Sequence, residues 1–182
     1  MKNKIKIGLI PGSLRNKSYN RCVINYIKQI LDKENVETII IDLKKFNLPV
    51  FDEDIESAGV PENVIEFQNL LNECNGFVIS TPEYNHSLPG GLKNAIDWAS
   101  RFKTPLFKDK YIALTGASMG PGGTIRSQIA MLSVMRNLGG IIISTQSYIS
   151  LAQNVFDENG NLLDDDIAKS LEILSKHLIS YY

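Results

Sequence analysis

Cysteine is almost missing from this chain. Cys22 and Cys74 are its only two, both within helical patterns and far apart. A disulfide framework needs more, and so does an iron–sulfur centre, so the usage is that of a reducing cytoplasm. Charge of one sign is also missing. Lys and Arg number 19 against 20 Asp and Glu, a net charge of -1, which leaves no basic surplus to displace counterions from nucleic acid. No apolar run reaches the roughly 18 residues of a membrane-spanning helix. The opening Met1-Lys-Asn-Lys-Ile-Lys-Ile alternates charged and apolar residues, reads as the start of a strand, and lacks the apolar stretch of a secretory signal. Neither G-x-G-x-x-G nor G-x-x-x-x-G-K-[ST] occurs, which disfavours a dinucleotide fingerprint and a P-loop. The chain therefore reads as cytoplasmic, with neither nucleic acid nor membrane as partner.

What is present is a core and an alternation. With 182 residues, 43% of them hydrophobic, the chain has enough apolar matter for one domain over residues 1–182. Short apolar runs at 5–10, 36–43, 76–80, 110–115 and 140–145 predict strands. Stripes at helical spacing predict helices over 19–34, 62–73, 88–101, 123–138 and 164–180. A polar loop with an acidic cluster fills 44–61, and residues 157–161 carry a turn signal. Five strands separated by helices imply parallel pairing through right-handed crossovers, a doubly wound α/β sheet. Spacing alone leaves the strand order open.

In such a sheet, ligands bind at the carboxyl ends of the strands. Three loops open there. The first, Gly12-Ser-Leu-Arg-Asn-Lys-Ser-Tyr-Asn20, offers a tight turn, the hydroxyls of Ser13 and Ser18, the Arg15 fork and a helix N-terminus. A phosphate monoester fits it; so does an ordinary N-cap, with Ser18 capping and Arg15 solvated. The second follows strand 76–80. Pro82 and Pro89 stiffen its ends, and between them lies Tyr84 with several free N–H groups, suited to a flat heteroaromatic ligand. The third, Thr115 to Arg126, has four glycines within eight residues, which permit close backbone approach to a ligand or simply a flexible turn. Their convergence on one crevice carries more weight than any one loop.

The block from Pro82-Glu-Tyr-Asn85 to Lys93-Asn-Ala-Ile-Asp-Trp98 resembles the flavin-contacting loop of the NADPH-dependent FMN reductase family. Gly12, Ser13, Arg15, Ser18 and Asn20 match the family's Gly-Ser-x-Arg loop followed by Ser and Asn. Gly116, Ala117, Ser118, Gly120 and Gly122 match its ring-bordering loop. The resemblance implies a flavodoxin-like three-layer sandwich with a five-stranded parallel sheet of order 2-1-3-4-5. It implies FMN as cofactor, its phosphate held by Ser13, Arg15, Ser18 and Asn20. The ring would be bordered by Pro82, Glu83, Tyr84, Asn85 and His86 on one side and the glycine loop on the other. It further implies NADPH or NADH as donor, a ping-pong cycle, and a small acceptor such as a quinone, azo compound, free flavin or metal oxyanion. No catalytic side chain is required, because the flavin carries the chemistry. Position 86 departs from the pattern, being His where many relatives carry Gly. His86 is read as polar lining or as a contact to ring or substrate.

The alternative is a flavodoxin-like FMN electron carrier without NAD(P)H oxidase activity, against which the balanced charge and Arg15 both speak. Beyond the loops, Glu83 is expected to have a helix-end or backbone partner rather than to act as a general acid. Lys93 and Asp97 are expected to pair at i and i+4, and Trp98 to lie in core or interface. The segment 125–138 carries Ile125, Ile129, Ala130, Met131, Leu132, Val134, Met135 and Leu138, wider than one buried stripe needs. That predicts an interface, to which Trp98 adds, or deep burial. The resemblance implies a homodimer or homotetramer, the 44–61 loop reaching the partner's pocket.

Overall fold

The computed structural model describes residues 5–182, so the part of the expected strand start that falls on residues 1–4 lies outside the described residues. Five strands, β1 (Lys6–Pro11), β2 (Glu37–Ile40), β3 (Gly76–Ser80), β4 (Tyr111–Ala117) and β5 (Ile141–Ile149), form one sheet of order β2-β1-β3-β4-β5. All four pairings are parallel, with Leu9 opposite both Ile40 and Val78, and Ile79 opposite Leu114. This is the expected flavodoxin-like order. β1 lies between β2 and β3, so the chain reverses direction across the sheet there.

Period-2 alternation sends side chains to opposite faces. On one face Ile10, Phe77, Ile79, Ile112 and Leu114 meet Phe67 and Leu71 of α4 (Glu62–Asn72), Leu92 and Ile96 of α5 (Gly90–Ser100), and Met131 and Met135 of α6 (Ile125–Asn137). On the other face Ile7, Leu9, Val78 and Ala113 meet Val23, Ile27 and Leu31 of α1 (Tyr19–Lys33), Ala152 and Val155 of the short α7 (Ala152–Val155), and Leu171, Leu174 and Leu178 of α8 (Asp165–Ile179). Each fully buried aliphatic or aromatic chain contributes about 1.5–3 kcal/mol of transfer free energy. α1 and α8 start where short polar side chains cap them. Ser18 Oγ accepts from Asn20 N–H, and the Asp164 carboxylate accepts from Asp166 and Ile167 N–H.

Several boundaries differ from the sequence reading. β4 and β5 run on to Ala117 and Ile149; the polar Ser144-Thr-Gln-Ser147 interrupts the apolar run, but β5 is an edge strand and tolerates it. The register of the β4–β5 pair also shifts between Ile112 and Leu114. The polar loop 44–61 holds most of α2 (Leu43–Phe46) and all of α3 (Glu53–Ala58), capped by Asp42 and Asp52. Cys74 sits just past α4, not within it. Trp98 is wholly buried, its indole N–H donating to Pro49 O at 2.8 Å, so it adds nothing to an exposed patch. α6 is divided between burial and exposure, with Met131 and Met135 buried while Ile125 and Ile129 are 42% and 57% exposed. Among the described residues no helix is long and apolar enough to cross a membrane.

Candidate functional site

The first loop leaves β1 pressed against β3. Gly12 N–H donates to Ser80 O at 2.8 Å, and a Cβ at position 12 would meet Leu92 Cδ2 at 2.8 Å and Ser80 O at 3.2 Å. Ser13 is buried and its Oγ accepts from Arg15 N–H at 3.3 Å. The Arg15 side chain is exposed, donating only to Lys17 O at 3.0 Å. The N–H groups of Ser13, Leu14, Asn16, Lys17 and Ser18 have no acceptor among the described residues. This loop of free donors, an exposed guanidinium and the N-terminus of α1 fits a phosphate monoester, which brings only acceptors and negative charge. Sequence reasoning missed Lys44, which reaches across from α2 to Asn16 Oδ1 at 2.5 Å and puts a second cation on the rim. The Lys44-Lys45 pair was the available signal, hidden because the segment read as plain loop.

Two expected phosphate contacts point inward instead. Ser18 is the N-cap of α1. Asn20 is 2% exposed. Its Oδ1 accepts from Ser80 Oγ and from Ala117 N–H, each at 2.9 Å, and its Nδ2 donates to Ala117 O at 2.9 Å. Asn20 therefore fastens α1 to the ends of β3 and β4, the strands that launch the other two loops.

The second loop begins with Thr81 N–H donating to Thr115 O at 2.9 Å. Tyr84 and Ser87 then exchange two backbone hydrogen bonds, 3.1 and 3.0 Å, around Asn85 and His86 at φ 50° and 64°. Left-handed φ at both central positions is the tight type I′ hairpin geometry. Asn tolerates it; His does so at a cost. The hairpin holds Tyr84 46% exposed. Glu83 does what its sequence position predicted, at a helix end. Its Oε2 accepts from Arg126 N–H at 2.9 Å and Ser127 N–H at 3.3 Å, and its Oε1 lies 3.2 Å from Arg126 Nη1.

In the third loop, packing by itself requires Gly116, since a Cβ there would strike Thr81 O and Thr124 Oγ1. Ala117 is buried. Ser118 N–H donates to Ile149 O at 3.0 Å and its Oγ to Gly120 O at 3.3 Å, which folds the loop back over β5. Gly120 faces open space, and Gly122 lies beside Arg126. Glu83, His86, Ser118, Gly120, Pro121, Gly122 and Arg126 enclose a hollow of about 440 Å³. A hollow of about 420 Å³ lies at the opposite end of α5, under Phe102, Leu106 and Asn137. It is remote from the carboxyl ends of the strands, where ligand sites of such sheets form. The three expected loops thus meet at one edge, with Ser18 and Asn20 serving the frame.

Known proteins bear on this geometry. Residues 5–154 match the family model described as NADPH-dependent FMN reductase. The chain is 35% identical to an NAD(P)H-dependent FMN reductase of Pseudomonas aeruginosa, over 98% of this chain and 94% of that one. It is 32% identical to a 2-hydroxy-1,4-benzoquinone reductase of a Burkholderia species, over 92% and 91%. In structure it is similar to the flavoenzyme NAD(P)H:(acceptor) oxidoreductase FerB of Paracoccus denitrificans, with TM-score 0.85 at 26% identity, covering 97% and 96% of the two chains. Loops, sheet order and sequence agree: the chain belongs to the NADPH-dependent FMN reductase family.

Proposed function

We propose that the protein is an FMN-dependent NAD(P)H oxidoreductase whose acceptors are small molecules, quinones foremost. The observation that carries the reading is the set of N–H donors of Ser13, Leu14, Asn16, Lys17 and Ser18 that lack an acceptor among the described residues, beside Arg15 and Lys44, opening on the same sheet edge as the Tyr84 hairpin and the 440 Å³ hollow. When bound, FMN supplies a ring that takes a hydride from a nicotinamide and gives two electrons to an acceptor. Ser13, Arg15 and the loop amides hold its phosphate. Pro82, Tyr84, Asn85 and His86 border one edge of the ring, and Gly116 to Ser118 its pyrimidine side. The rigid hairpin keeps Tyr84 at the mouth, where it excludes water and offers a flat surface to whichever ligand is docked. Donor and acceptor take turns at the same face. A quinone gains two electrons and two protons per turn, and solvent provides the proton that the hydride does not.

The chain acts as one domain over residues 1–182, in the cytoplasm, as a homodimer or homotetramer. The exposed Ile125, Ile129 and Leu132 on α6 support association, and the segment of α2 and α3 then lies within reach of a partner's pocket. Absorption of the purified protein and its bleaching on anaerobic addition of NADPH or NADH test the activity. Arg15→Ala with Ser13→Ala tests the cradle. FMN affinity should fall at least tenfold, on the order of 1–3 kcal/mol per bond lost, while riboflavin binding changes little. Unchanged FMN affinity would move the phosphate elsewhere. Light scattering over a dilution series tests assembly, since a 20.3 kDa species at micromolar concentration would refute the dimer.

A further inference from the structure

Seven described residues other than glycine have positive φ. Four of them, Asn35, Asn47, Asn85 and Asp109, carry side chains that tolerate it. The other three, His86, Thr124 and Leu151, all stand at the carboxyl edge of the sheet, one after each of β3, β4 and β5. Thr124 is the costliest, because its Cβ is branched; it has φ 69° and ψ 19° and is 1% exposed. It ends the glycine loop, in which the N–H groups of Met119, Gly120, Gly122 and Gly123 have no acceptor among the described residues. Gln128, one turn along α6 and wholly buried, holds it there. The Gln128 N–H donates to Thr124 O at 3.0 Å, and its Nε2 donates to Thr124 Oγ1 at 3.2 Å and to Ser147 O of β5 at 3.0 Å. Ser147 O can only accept, which fixes the orientation of the amide. Its Oε1 is then buried without a partner among the described residues. The Thr124 hydroxyl in turn rests over Gly116, where a Cβ would strike it. A strained φ and an orphaned acceptor thus meet at one place, and both oppose stability. Such features persist where a site needs the geometry they fix.

We propose that Gln128 is a positioning residue for the cofactor. By pinning Thr124 in the left-handed conformation, between β5 and Gly116, it presets the loop of free donors that borders the pyrimidine side of the ring. The inference rests on the oxidoreductase reading for its ligand. Without that hold, Thr124 relaxes towards negative φ, and the loop is competent to bind for only a fraction of the time. Glycine at position 124 would need no hold, since it populates positive φ freely.

The test titrates FMN and riboflavin into apoprotein by fluorescence. In Gln128→Leu both affinities should fall about tenfold, the cost of a left-handed branched residue expressed as a population. Their ratio should stay at the parent value, because the phosphate cradle is untouched. Combining Gln128→Leu with Thr124→Gly should bring both affinities back to within about threefold of the parent. Packing lost with the Gln128 side chain would not be restored from position 124. The midpoint potential of bound FMN should become more negative in Gln128→Leu and return in the double variant, since N–H donors favour the reduced, anionic ring. Unchanged affinities, a loss confined to FMN, an unmoved potential or the absence of rescue each overturns the proposal. Should Gln128→Leu not fold, Thr124→Val decides. It keeps the shape and the branched Cβ but removes the hydroxyl that Gln128 grips, so the same shared loss is expected, and parent-like affinity refutes the assignment. A parent protein that binds neither flavin would refute the oxidoreductase reading instead. Amide hydrogen exchange of residues 119–124 in apoprotein would still be readable, faster in Gln128→Leu and restored in the double variant; unchanged exchange would overturn the hold itself.

Discussion

Replacing Asn20 by Ala would separate a frame residue from a ligand contact. The substitution strips partners from three groups: Ser80 Oγ, Ala117 N–H and Ala117 O, bonded at 2.9 Å each. Ser80 is wholly buried and Ala117 is 3% exposed, so solvent does not replace what is lost. A buried polar group left unpaired costs about 1–3 kcal/mol, and three that relax together would cost about 4 kcal/mol. For a chain of this length each kcal/mol shifts the melting temperature by about 2–4 °C, so apoprotein should melt about 12 °C lower. Differential scanning calorimetry of apoprotein measures it, and FMN titration of the same samples measures affinity. A melting temperature within about 3 °C of the parent, combined with a tenfold loss of FMN affinity, would refute the fastening role and return Asn20 to the phosphate site.

His86→Gly should stabilise the protein by roughly 1 kcal/mol, because a left-handed φ costs a residue with a Cβ about that much; urea unfolding that shows Gly to be destabilising would mean the imidazole makes a compensating contact. Burial pushes the Cys74 thiol from an ordinary 9.0 up to about 11. The folded chain thus holds that proton more tightly than the unfolded chain. The stability this contributes is whole below pH 9.0 and is lost as pH climbs towards about 11. Stability in Cys74→Ala should therefore fall less steeply across that window, and parallel pH curves would contradict the assignment. A thiol reagent at pH 8 should leave Cys74 unmodified in native protein.

Most of the architecture was legible because β1, β3 and β4 are nearly continuous apolar runs and the long helices carry apolar stripes. The order of strands was not, since crossover lengths alone permit several; the resemblance of Pro82-Glu-Tyr-Asn85 and its surroundings provided it. The site was legible at the level of loops and less so at the level of side chains. Nothing local distinguishes Ser13, turned to its own loop, from Asn20, which crosses to Ala117 97 residues later. Glu83 was readable as a helix-end partner, but its helix could not be named, since the pairing is fixed only when β3 and β4 lie side by side. Lys44 escaped because α2 is a single turn, too short for periodicity to register.

The crevice is assembled from residues 12–20, 81–87 and 116–126, and its pieces are joined by bonds such as Gly12 to Ser80 and Thr81 to Thr115. No contiguous fragment contains it. A chain that has not yet paired β1 with β3 and β3 with β4 has nothing to offer the nucleotide. Under the proposed function, the ligand therefore recognises finished protein alone, and by mass action its whole affinity is converted into resistance to unfolding, about 2.7 kcal/mol when free FMN stands at 100 times its dissociation constant. Cellular flavin supply would then govern the lifetime of this polypeptide as well as its turnover: in a riboflavin-starved cell, the molecules without cofactor open more often and are the first to meet the proteases.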